Sequence, residues 1–205
     1  MLGILVSSTV GQTPKEKKKP AKKRKPNPAF VPVKDDPALP RILLIGDSIS
    51  IGYTVPVRDM LKGVANVHRP LTNCGPSSTG VKELDKWLGD GKWDLIHFNF
   101  GLHDLKYMGP NGENLYDPKK GKQQVPPAEY EKNIETITAR LKKTGAKLIW
   151  RNTTPVPEGC KGRVVGHSKQ YNEIAARVMK KHNIAVHDMY TVSYTHLTLP
   201  TICSV

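Results

Sequence analysis

Five short apolar runs, each ending in a polar or glycine-containing loop, constrain this chain more than any other feature. The first, Arg41-Ile42-Leu43-Leu44-Ile45, is continuous and stops at Gly46, as a strand buried on both faces should. Ala65 to Arg69, Trp93 to Phe100, Lys147 to Trp150 and Ala185 to Tyr190 repeat the pattern. Helix-period stretches lie between them. One is expected from Val55 to Lys62, and another from Thr79 to Leu88 with Val81, Leu84, Trp87 and Leu88 on one face. A third carries Tyr130, Ile134, Ile137 and Leu141 and is closed by Gly145; a fourth runs from Lys169 to Lys181, with Tyr171, Ile174, Val178 and Met179 inward. Strands alternating with helices, through connections too long for hairpins, imply an α/β domain with a mainly parallel five-stranded sheet between two helical layers. Ligands of such sheets bind beyond the carboxyl ends of the strands. The loops that follow the strands are therefore where chemistry is expected.

Charge is distributed unevenly. Of the formal net charge of +14, residues 14–26 (PKEKKKPAKKRKP) contribute +7, from eight Lys or Arg and one Glu. A Pro-interrupted basic run cannot bury apolar surface and reads as a disordered linker within residues 13–39. A nucleic-acid or polyanion contact through Lys15–Lys25 is the rival reading, disfavoured because no aromatic residue interleaves the lysines to stack on bases. Residues 1–12 start with Met1-Leu2-Gly3-Ile4-Leu5-Val6 and continue with small residues. They read as the remnant of a secretory signal peptide and point to a periplasmic or secreted protein, with the cytoplasm as the alternative. No run reaches the ~20 apolar residues of a membrane span. Cys74, Cys160 and Cys203 match no zinc spacing. Cys74 and Cys160 are read as isolated thiols, a disulfide between them being the alternative in an oxidising compartment.

Three loops hold the candidate chemistry. Gly46-Asp47-Ser48-Ile49-Ser50 follows the first strand directly. A Ser there exposes its hydroxyl beside a helix N-terminus, which favours developing negative charge. The competing role is a helix cap, taken by Ser48 or Ser50. Asn73-Cys74-Gly75-Pro76-Ser77-Ser78-Thr79 opens the next helix with small residues that let backbone N–H groups approach an oxyanion, or form an ordinary turn. Gly101-Leu102-His103-Asp104 follows the third strand; His103 could donate a hydrogen bond, act as a base or be structural, and Asp104 points away from it. Thr153 to Pro157 should line the same rim without chemistry, whereas His97 and His187-Asp188 are read as packing residues.

Three such loops after successive strands resemble the SGNH/GDSL hydrolase superfamily over residues 40–192. The resemblance implies a flavodoxin-like three-layer fold and acyl transfer without metal or cofactor. Ser48 would be the nucleophile and a backbone oxyanion donor, with Gly75 or Ser78 giving a second N–H. His103 stands where the family usually has the Asn of Gly-x-Asn-Asp, as in a subgroup found among carbohydrate-degrading enzymes. Asp47 and Asp104 would support the site. The expected substrate is a small-molecule or carbohydrate ester, and acetyl esters are favoured. The family's Asp-x-x-His block should follow the helix after strand five, but residues 193–205 (SYTHLTLPTICSV) offer none. That segment resembles translated adapter sequence and is expected to be a non-native tail on a C-terminally truncated domain. Without the block the chain would be inactive, and the alternative is a non-catalytic carbohydrate-binding or scaffold protein.

Overall fold

The computed structural model describes residues 26–196. The leader, nearly all of the basic run and residues 197–205 lie outside the described residues. Five parallel strands form the central sheet: β1 (Arg41–Ile45), β2 (Asn66–His68), β3 (Leu95–Phe98), β6 (Lys147–Arg151) and β7 (Ala185–His187), in the order β2-β1-β3-β6-β7. Two further strands, β4 (Tyr107–Met108) and β5 (Lys122–Gln123), pair antiparallel as a separate ribbon. The chain leaves β1 for one side of the sheet and returns to lay β3 on the other. The connections leaving β1 and β3 therefore part at the switch point, where sheets of this kind bind ligands as a rule.

Among the described residues five α-helices accompany the sheet: α1 (Ser48–Met60), α2 (Ser77–Leu88), α3 (Pro127–Lys142), α4 (His167–His182) and α5 (Met189–His196). Helices α2, α3 and α4 pack side by side. Their apolar faces, including Leu84, Trp87, Ile134, Ile137, Leu141, Ile174 and Val178, bury Leu43, Ile45, Ile96, Phe98 and Trp150 of the sheet. Phe98 and Trp150 meet edge to face at 5.1 Å, a favoured aromatic geometry. The Tyr130 hydroxyl donates to Phe100 O (3.0 Å) and that of Tyr171 to Val125 O (2.6 Å), so both buried phenols are satisfied.

The sequence expectation placed the helix after β1 at Val55, but α1 begins at Ser48 itself. Asp47 is its cap, its Oδ1 accepting from Ile49 N at 3.0 Å, and the helix continues through Pro56. Helix α2 likewise starts two residues earlier than its apolar stripe indicates, because Asp104 accepts from Ser77 N across the chain. The long loop expected at 106–127 contains the β4–β5 ribbon, tied down by Tyr107 N to Gly162 O and Val125 N to Asp104 O. Strand β7 ends at His187, not Tyr190, and α5 follows across the boundary expected at residue 192. Residues 27–40 lie against the domain, with Arg58 Nη1 donating to Pro28 O and Asn66 exchanging hydrogen bonds with Asp36. Among the described residues no helix is long and apolar enough to cross a membrane.

Candidate active site

The first loop separates its two serines by role. Ser50 Oγ donates to Asp47 O at 2.7 Å and is fully buried, so it braces the turn. Ser48 sits in the first turn of α1, and its Oγ is shielded from solvent without a hydrogen-bond partner among the described residues. With Asp47 as cap and Ser50 as brace, Ser48 is the serine with no structural bond. The competing cap role therefore falls to neighbouring residues.

Arg69, just past β2 and 4% exposed, bolts the first loop to the second. Its Nη1 donates to Ser50 Oγ (3.1 Å) and Thr54 Oγ1 (3.0 Å), its Nη2 to Gly46 O (3.4 Å) and Thr72 O (3.0 Å), and its Nε to Pro70 O (3.1 Å). The rigid fork of guanidinium donors suits such convergent acceptors. Sequence reasoning missed this residue; the only signal was a cation closing an apolar run.

In the second loop Gly75 takes φ +63° and its N–H donates to Asn73 Oδ1 at 2.9 Å. That amide is already engaged. Ser78 lies in the first turn of α2, where backbone N–H groups lack intrahelical acceptors. Cys74 N donates to Gly46 O at 3.3 Å, a second tie between the loops. Cys74 and Cys160 are free thiols, and burial pushes that of Cys74 up to about 11.

The third loop sends adjacent side chains to different places. Asp104 is fully buried, and its Oδ1 accepts from Ser77 N at 2.8 Å, at the positive end of α2. Burial lifts its carboxyl to about 7 against the lowering effect of the Ser77 bonds. His103 turns toward Lys106, whose Nζ lies 3.4 Å from Nδ1; its Nε2 is buried with no partner among the described residues. Burial holds the imidazole down at about 4, with Lys106 and Arg163 adding to the effect and Asp47 opposing it. His103 is therefore neutral at pH 7 and senses the Asp47 carboxylate beside Ser48. Arg163 Nε, from the loop before α4, donates to Leu102 O at 3.1 Å and fixes this loop from outside.

Thr153 and Thr154 follow β6 on the same rim, buried and with hydroxyls that have no partner among the described residues; Asn172 of α4 clamps the Thr153 backbone through two 2.8 Å bonds. His97 faces His187 at 3.3 Å and lies edge-on to Tyr53, and Asp188 bonds Asn152 and Thr191. These bonds tie them to the β6–β7 side of the sheet. A cavity of about 810 Å³ opens beside β2 among Arg41, His68, Trp87 and Trp93, reaching Asn73 but neither Ser48 nor His103. Among the described residues no group of three or more His, Cys, Asp or Glu could hold a metal ion.

No family model and no curated protein matches the chain by sequence. Solved structures match it by shape. The acetyl xylan esterase AlAXEase superposes with a TM-score of 0.58 at 13% identity, over 71% of this chain and 75% of its own. A lipase/acylhydrolase from Enterococcus faecalis gives 0.58 at 20% identity, over 77% and 80%. AlinE4, an SGNH-hydrolase family esterase, gives 0.57 at 15%, over 78% and 81%. The chain has the SGNH/GDSL hydrolase fold. Within that fold, Gly46–Ser50, Asn73–Thr79 and Gly101–Asp104 follow the first three sheet strands, the first two running into α1 and α2, and they are tied to one another by Cys74 N to Gly46 O and Ser77 N to Asp104 Oδ1.

Proposed function

We propose that this chain is a serine ester hydrolase domain working through an acyl-enzyme on Ser48. The observation that carries the reading is the Ser48 hydroxyl itself, unbonded at the head of α1 and at the sheet's switch point. Ser48 Oγ attacks the ester carbonyl, the carbonyl oxygen becomes an oxyanion, and the alcohol leaves with a proton. Water then cleaves the acyl–Oγ bond, releasing the acid and restoring the hydroxyl. The Ser48 and Ser78 N–H groups, with His103, are the oxyanion donors in this reading. Gly75, the other candidate, fits less well because its N–H already serves Asn73. Asp47 and Asp104 support the site by capping α1 and latching the third loop to α2.

No described residue accepts the Ser48 proton, and an unactivated Ser is a weak nucleophile. That observation favours a second reading: a glycan-binding protein on the same fold, without turnover. Acetyl esters, on carbohydrates in particular, are the proposed substrates. One of the structural neighbours is an acetyl xylan esterase, and the loop at 106–127 is polar and charged.

The test is labelling with a fluorophosphonate probe together with hydrolysis of small acetyl esters. We expect Ser48 to be labelled and Ser48→Ala to abolish both signals. Glycan binding with neither labelling nor hydrolysis would favour the second reading, and hydrolysis that persists in Ser48→Ala would remove Ser48 from the chemistry.

A further inference from the structure

His103 has two ring nitrogens and two conceivable roles, donor or base, and the choice depends on which nitrogen carries the proton. Three observations bear on it. Burial holds the ring's titration down at about 4, which leaves one N–H and one lone pair at pH 7. Its Nδ1 lies 3.4 Å from Lys106 Nζ. Its Nε2 is buried and meets no partner among the described residues. Burial pulls the Lys106 amine below its usual range, with Arg163 adding to the effect and Asp104 opposing it; as long as it is the ammonium it has donors only. Facing it, Nδ1 must offer its lone pair, and the single proton is left on Nε2.

We infer that Lys106 is a positioning residue that locks His103 in the Nε2–H tautomer, making it a hydrogen-bond donor to the reacting oxygen rather than a base for Ser48. The inference rests on the ester-hydrolase reading for the identity of that oxygen, but the tautomer itself does not. Lys106 is well placed for the task. It is 7% exposed, forms no ion pair with a described carboxylate, and leaves β3 on the same loop as His103. Its backbone is held as well, the carbonyl accepting from Gln124 N at 2.8 Å next to the β4–β5 ribbon. Three charged groups act on the imidazole: Asp47 at the head of α1, Lys106 on its own loop and Arg163 before α4. Burial is the main reason the ring does not take a second proton, and the two cations add to it while Asp47 opposes them. A donor that stays neutral does the work of the Asn amide it replaces and stays unchanged around neutral pH, which a freely titrating His would not.

The experiment is a two-bond ¹H–¹⁵N correlation spectrum of the full chain labelled with ¹⁵N-histidine, with His103→Asn identifying the His103 signals. At pH 7 the wild-type ring should be in the Nε2–H form. Lys106→Arg, which also presents only donors, should keep it. Lys106→Met should give a mixture of tautomers and move the His103 titration up from about 4. In an ester assay the same variant should lower kcat with KM little changed, as expected for a contact made only in the transition state. A wild-type ring protonated on Nδ1 overturns the inference, and needs no variant to fold. So does a folded Lys106→Met whose tautomer and titration match wild type. Because the spectra require no turnover, loss of the ester-hydrolase reading through the Ser48 labelling test would leave the tautomer result standing.

Discussion

Single side chains at this site are defined by what they bond, and that makes their substitution effects predictable. Arg69→Ala would strip donors from Gly46 O, Thr72 O and two hydroxyls at once. Leaving buried acceptors unsatisfied costs about 1–3 kcal/mol each where no water replaces the donor. We expect a loss of about 2–4 kcal/mol in urea unfolding, at the upper end for single substitutions, together with slower Ser48 labelling; an unchanged midpoint would show that the clamp contributes nothing. The titrating groups pull against one another. His97 and His103 are held at about 4 against an ordinary 6.5. Their contribution to stability is present above 6.5 and is lost as pH falls through 4. Asp104 is raised to about 7 from 3.8, so its contribution is present below 3.8 and lost as pH rises through 7. Two histidines outweigh one carboxyl, and stability should climb from pH 4 to 6.5. Asp104→Asn keeps an acceptor for Ser77 N and removes the opposing group. Its urea midpoint should rise more steeply over that interval than the wild-type midpoint, and parallel curves would count against the Asp104 assignment.

Elements here meet at close quarters in two places where glycine matters. Gly80 in α2 faces Phe100 and Ile137, and a Cβ there would stand 2.6 Å from Phe100 Cζ and 2.8 Å from Ile137 Cδ1. Gly80→Ala gains about 1 kcal/mol of helix propensity. Overpacking a close-packed core costs about 1–3 kcal/mol, and the clash should win. A lower melting temperature is the expected result; a rise would mean that α2 can shift outward without cost. Gly162, with φ +64°, lies against the Leu115 backbone, where no rotamer change can relieve a Cβ. Gly162→Ala should unseat the β4–β5 ribbon by disturbing the hydrogen bond that Tyr107 N donates to Gly162 O. If the ribbon shapes the substrate pocket, KM for bulky esters should rise while fluorophosphonate labelling of Ser48 is nearly unchanged. The opposite element is β7, whose three residues are all exposed, although strands of a parallel sheet are ordinarily covered on both faces.

At the scale of the whole molecule, charge and fold separate. Removing residues 14–26 would halve the net charge from +14 to +7. If the run is a linker, the deletion should weaken retention on a cation exchanger and leave the melting temperature and Ser48 labelling unchanged. Binding to a polyanion that disappears with the deletion would instead support the basic arm as a contact. The layered architecture follows from periodicity alone. Runs such as Arg41–Ile45 are strands because they are apolar throughout, and Tyr130, Ile134, Ile137 and Leu141 face one way because helical spacing puts them there. That Ser48, Gly75, Ser78 and His103 follow the ends of strands was legible for the same reason, since the apolar run stops there, although Ser48 and Ser78 lie in the first turns of α1 and α2. Helix starts were not, because α1 begins on the cap supplied by Asp47 and α2 on a bond to Asp104 from 27 residues away. Tertiary structure alone decided which serine is left unbonded, which backbone N–H is engaged, and that Asp104 serves α2 rather than His103. It also recruited Arg69 and Arg163, whose bonds reach across 19 and 61 residues. Local sequence sets periodicity and therefore which segments are strands, helices and loops; hydrogen-bond partnership is set by residues far apart in the chain, and only folding brings them within bonding distance.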